Sequence, residues 1–203
     1  MRTGILLLLL SVSLFVGGAC RSRQQEPQPP QYMTTATIKD LMDSIVDPSA
    51  DVVWDSVATV VTANGTEERA PRTDEEWAKV RQGAIRLVEA HNLLVVPGRL
   101  VARPHEKSLA PGVELEPEEM QALIDKDRDK WNKRAKALHD ASLQVLQAID
   151  AKNVGALTDL GERIDNACEN CHLAYWYPNQ VLPPGYGEPP VNSPQNAAPG
   201  KPR

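Results

Sequence analysis

Cys168-Glu169-Asn170-Cys171-His172 reads C-x-x-C-H, and no other stretch of the 203-residue chain constrains it as tightly. On a helix, positions i, i+3 and i+4 share one face, so both thiols and the imidazole would point the same way. Two thiols so placed can add to the two vinyl groups of a haem. The adjacent imidazole can then bind the iron from one side. The spacing is the attachment signal of one covalent haem c, with Cys168 and Cys171 as the attachment points and His172 as the proximal iron ligand.

Other chemistries use C-x-x-C. A redox dithiol is expected near a βαβ pattern, and none is visible. A zinc site needs a second pair of ligands, but the only other cysteine is Cys20. A plain disulfide remains open.

The surrounding pattern is helical. Ile38 to about Val61 forms a first helical region, with Ile38, Leu41, Met42 and Ile45 on one stripe, continued by Val53, Val57, Val60 and Val61. Asp47-Pro48 predicts a kink or restart, and Ala63-Asn64-Gly65-Thr66 a stop. Thr73 and Glu76 form a capping box for a second helix. Its stripe runs through Trp77, Val80, Ala84, Leu87, His91 and Leu94 to Pro97-Gly98. Residues 98–116 read as a long connection.

Pro117 opens a third helix reaching Lys152-Asn153, with Asp127 an acid on its inner stripe, which points to a shift of register there. The fourth runs from about Val154 to Tyr175. Both cysteines fall on its apolar stripe, a second reason to place a large apolar cofactor in the core. No segment alternates like a strand. The expected fold is all-α, an antiparallel four-helix bundle with the haem motif on the last helix.

The ends differ in composition from the middle. Residues 1–19 carry Arg2, a short apolar core and Gly17-Gly18-Ala19 before Cys20, a signal peptide too short for a comfortable membrane span. The run resembles the lipobox of bacterial lipoproteins, with Gly17 in place of the usual aliphatic. That implies lipidation of Cys20, a membrane anchor through it, and a periplasm-facing place in the bacterial cell envelope. Arg21 resembles the pattern sorted to the outer membrane. Cleavage after Ala19 by ordinary signal peptidase is the alternative and would leave a soluble periplasmic protein. Residues 20–34 read as a tether, 35–177 as the folded domain and 178–203 as an irregular tail holding eight of the 17 prolines.

A C-x-x-C-H near the end of the last of four helices resembles the cytochrome c-prime family, including its low-spin members, over about residues 35–177. In that family the motif is often followed, two residues on, by an aromatic and a basic residue. Tyr175 fits the aromatic position and implies haem packing, whereas Trp176 stands where the base would be. The resemblance also implies a distal residue from the first helix, for which Met42 is the candidate sixth iron ligand. It permits a homodimer.

Three classes of function follow. The first is electron transfer with redox partner proteins of the cell envelope. The second is five-coordinate binding of nitric oxide or carbon monoxide. The third is a non-haem envelope lipoprotein with a C-x-x-C disulfide. The net charge of -5 and the lack of a basic run argue against a nucleic-acid partner. No Ser/His/Asp or paired-carboxylate constellation suggests an enzyme. Among the remaining histidines, His91 lies on the apolar stripe and reads as a core residue with a satisfied hydrogen bond. His105 and His139 read as exposed.

Overall fold

The computed structural model describes residues 31–180. The expected signal, Cys20, the tether to residue 30 and the tail from residue 181 lie outside the described residues. Among the described residues no helix is long and apolar enough to cross a membrane. The fold is mostly helical, with one small two-stranded sheet.

Helix α1 (Ile38–Leu41) opens on a reciprocal cap. Thr37 Oγ1 accepts from the Asp40 N–H and Asp40 Oδ2 accepts from the Thr37 N–H, each at 3.0 Å. Two first-turn N–H groups find partners across the molecule: Ile38 donates to the Leu100 carbonyl at 2.8 Å and Lys39 to that of Val101 at 2.9 Å. The backbone then widens into a π-helical segment, Met42–Val46, where the Asp47 N–H donates to the Met42 carbonyl five residues back. Helix α2 (Asp47–Trp54) follows directly.

The sequence predicted a kink or restart at Asp47-Pro48, and an α-helix does begin there with Pro48 in its first turn, directly after the π-helical segment. Proline lacks an N–H and its ring crowds the carbonyl four residues back. The wider π turn moves the bonding to i→i−5 and lets the helix run on.

The first helical region stops at Trp54, short of the expected Val61. Beyond it, β1 (Ala58–Thr62) and β2 (Gly65–Arg69) pair antiparallel, with Thr62 opposite Gly65 and Ala58 opposite Arg69. This corrects the expectation of a strand-free chain. Thr59, Val60, Val61 and Thr62 are all β-branched and favour strand over helix. A two-residue turn at Ala63-Asn64 leads into Gly65, whose φ of 127° suits glycine.

Helix α3 (Asp74–Leu94) begins at the predicted capping box, with Glu76 Oε2 accepting from the Thr73 N–H at 2.9 Å. Gly83 lets α3 approach α2 closely: a Cβ there would lie 3.0 Å from Val52 Cγ1 and 3.1 Å from the Ser49 carbonyl oxygen.

The expected third helix is two. Helices α4 (Pro117–Lys126) and α5 (Arg128–Asp150) are divided at Asp127, whose backbone turns to φ −142°, ψ 76°. Its carboxylate accepts from the Lys130 N–H at 2.9 Å, so the acid that broke the apolar stripe caps a new helix. Helix α6 (Val154–Tyr175) starts under an Asn153 cap. Val154, its first residue, is exposed.

Helix α3 packs on α5, α5 on α6, and α2 on both α3 and α6. Two apolar clusters result. The larger joins α2, α3, α5 and α6 through residues such as Val53, Leu87, Val145 and Ile164. The smaller gathers Ile38 and Leu41 of α1 with Leu94, Ile124, Trp131 and Tyr175.

Candidate functional site

Helix α6 carries the motif where the two clusters meet. Cys168 packs against the larger cluster and Cys171 against the smaller. Both are free, half-buried thiols. Met42, in the π-helical segment, packs against both clusters and is half-buried, so its side chain is turned inward.

Burial sets the protonation of these groups. It pushes the Cys168 thiol up to about 12, reinforced by the Asp165 carboxylate and more weakly by Cys171, Asp47 and Glu169. It pushes Cys171 up to about 11, against an opposing effect from the Arg134 guanidinium. Burial also lowers the His172 imidazole, with Glu169, Asp47 and Asp165 opposing it. At neutral pH the site therefore holds two protonated thiols and a neutral imidazole.

That combination bears on the chemistry. A redox dithiol or a zinc site works through thiolate, which burial here disfavours. A thioether has no charged form, so its burial carries no such penalty. A neutral imidazole keeps the lone pair that a metal needs. Among the described residues no group of three or more His, Cys, Asp or Glu side chains is arranged to hold a metal ion by itself.

The chain after α6 folds back over His172. The N–H groups of Trp176 and Tyr177 both donate to the His172 carbonyl, at 2.7 and 3.0 Å. Their rings stand edge-on to the imidazole, with centroids 5.1 and 5.8 Å away. The Tyr177 hydroxyl donates to Glu169 at 2.7 Å, and the Leu115 N–H donates to the Trp176 carbonyl at 2.7 Å. The long connection and the end of α6 thus hold each other.

Tyr175 is 6% exposed and meets Trp131 of α5 edge-on, centroids 5.2 Å apart. Its hydroxyl is buried with no partner among the described residues. An orphaned buried hydroxyl costs about 1–3 kcal/mol, and a polar ligand atom would relieve it. Together with the thiols and the neutral imidazole, this donor set fits haem c.

The other histidines lie elsewhere. His91 and Asn132 border a cavity of about 410 Å³ whose lining residues all come from α3 and α5 or the residue after α3. The His91 ring packs on His139, centroids 5.6 Å apart. His139, expected exposed, is half-buried by that contact, and its Nδ1 lies 3.0 Å from Asp140 Oδ1. His105 is exposed, at a φ of 73°.

Sequence reasoning missed the charged neighbours Asp47, Asp165, Glu169 and Arg134. Asp165 and Glu169 sit at helical spacing from Cys168 and His172, a signal available in the sequence. Asp47 and Arg134 come from other helices, and only the packing brings them near. No family model, no curated protein and no solved structure matches the chain.

Proposed function

We propose that this protein is a c-type cytochrome of the bacterial cell envelope, resembling the cytochrome c-prime family, that transfers electrons between envelope partner proteins. The observation that carries the reading is the pair of protonated, half-buried thiols one turn apart on α6, beside a neutral imidazole at the junction of two apolar clusters. The packing of α3 on α5, α5 on α6, and α2 on α3 and α6 supports the finer reading of a four-helix bundle, with α1 and α2 as one member and α4 and α5 as another.

Cys168 and Cys171 would hold the haem. Each thiol would supply the sulfur and the hydrogen that a vinyl group takes up, with no net change in oxidation state. His172 would bind the iron, and Met42, packed against both clusters, is the candidate second ligand. The haem, once bound, supplies a one-electron ferrous/ferric couple. The protein side of the work is electrostatic and steric. Apolar burial keeps His172 neutral, while Asp47, Asp165 and Glu169 add negative charge that favours the oxidised, more positive iron. Trp176 and Tyr177 shield the imidazole. Lipid on Cys20 would hold the domain at the membrane surface through residues 20–34.

Optical spectra of the oxidised and reduced protein, with and without carbon monoxide, test this. Low-spin spectra that carbon monoxide changes only slowly support electron transfer. A high-spin protein that binds carbon monoxide at once contradicts it and moves the assignment to gas binding.

A further inference from the structure

Large apolar side chains stand open at the end where the chain enters the domain. Met33 and Leu109 are 81% and 91% exposed, and Tyr32 and Leu100 more than half. Single exposed apolar residues are ordinary, but several gathered at one end are a patch. The backbone ties their segments together. The Ile38 and Lys39 N–H groups donate to the Leu100 and Val101 carbonyls, and Arg99 Nη1 donates to the Ala36 carbonyl. The first turns of α4 hold the rest. Gln121 Oε1 accepts from the Val101 N–H at 3.0 Å, and Glu116 Oε2 from the Ser108 N–H at 3.3 Å. Glu114 Oε2 takes the Ser108 hydroxyl and the Leu109 and Ala110 N–H groups, at 2.8, 3.0 and 3.1 Å. Three bonds to one carboxylate oxygen fix the backbone that presents Leu109 to solvent.

We infer that this end of the domain rests on the lipid bilayer, with Met33, Leu100 and Leu109 in its interfacial layer. The inference rests on the reading of Cys20 as the lipid anchor. The occupant follows from where the chain leaves the patch. Tyr32 belongs to it, and eleven residues, Arg21 to Gln31, separate Tyr32 from Cys20. Fully extended, they span about 36–40 Å. That is no more than the width of a domain of this size, about 40 Å. An anchor at Cys20 therefore keeps this end nearest the bilayer. It also makes the contact effectively intramolecular, so a small apolar patch suffices. The cations beside the patch, Lys39, Arg103 and Lys107, are each paired with carboxylates. The contact is therefore apolar and draws little on attraction to anionic headgroups.

The test uses the mature chain in phosphatidylcholine vesicles, with hydroxyl-radical footprinting read by mass spectrometry. Three proteins are compared: wild type, Cys20→Ala, and a Leu100→Ser, Leu109→Ser double variant that keeps Cys20. Labelling of Met33 and Leu109 should fall several-fold in anchored wild type relative to Cys20→Ala. Val61, 78% exposed on the hairpin, is the internal control and should label alike in both. In the double variant Met33 should regain its labelling. The protection of wild type should persist in high salt. Met33 and Leu109 labelled as readily in anchored wild type as in Cys20→Ala overturn the inference while leaving the anchor intact. Protection lost in high salt overturns the apolar contact. Protection that grows with protein concentration in the absence of vesicles marks a self-association surface and overturns the inference too. A wild type whose intact mass carries no acyl chains overturns the anchor and the inference together.

Discussion

Trp131 stands edge-on to Tyr175 at an interplanar angle of 80°, fastening the first turn of α5 to the last turn of α6. Trp131 is 3% exposed, and its indole N–H donates to the Leu94 carbonyl at 3.0 Å. One side chain thus joins the ends of α3, α5 and α6 beside the cysteines. Trp131→Ala should cost about 3–5 kcal/mol. Trp131→Phe keeps ring packing but strands the Leu94 carbonyl, at a cost of about 1–3 kcal/mol. Urea unfolding of both variants measures this; a Phe variant as stable as wild type would mean that the hydrogen bond contributes nothing.

Gly83 is a packing requirement inside a helix. Alanine there gains about 1 kcal/mol of helix propensity, but its methyl would press on Val52 and the Ser49 carbonyl at the distances above. The Ser49 carbonyl is backbone and cannot rotate away. Gly83→Ala should therefore lower the melting temperature; a rise would show that α2 can shift at no net cost.

Native thiols should be slow to alkylate. With Cys168 raised to about 12 and Cys171 to about 11, almost no thiolate exists at pH 8 in the folded, haem-free chain. Iodoacetamide labelling followed by mass spectrometry should show both protected until denaturant is added. Rapid labelling of the folded chain would point back to a redox dithiol.

Glu76 ties acid stability to the start of α3. Hydrogen bonds from the Arg72 and Thr73 N–H groups hold its carboxyl below the ordinary range. Because the folded value is lowered, the stabilisation is fully present above the unfolded value and is lost as pH falls through the folded one. Glu76→Gln should be less stable than wild type at neutral pH, and the two should converge in acid. A difference unchanged down to the acid limb would contradict the capping role.

The helix starts were legible because their signals are local: Thr73 and Glu76 need only each other. The hairpin was not, because Val57, Val60 and Val61 also fit the helical stripe. Four β-branched residues before Asn64-Gly65 were the better guide. Asp127 was visible as an acid on an apolar stripe, and its role as a cap explains it. The π segment at Met42–Val46 left no mark beyond Pro48. Within the candidate site, Cys168, Cys171 and His172 are readable from spacing alone. Arg134 is not, since its place depends on how α5 registers against α6.

The most direct measurement is the intact mass of the full chain, made in a host with haem-attachment machinery and extracted with acidified solvent. Wild type should carry one haem mass that survives extraction, and the Cys168→Ala, Cys171→Ala double variant should carry none. A wild-type chain at its polypeptide mass alone, colourless after purification, would contradict the account.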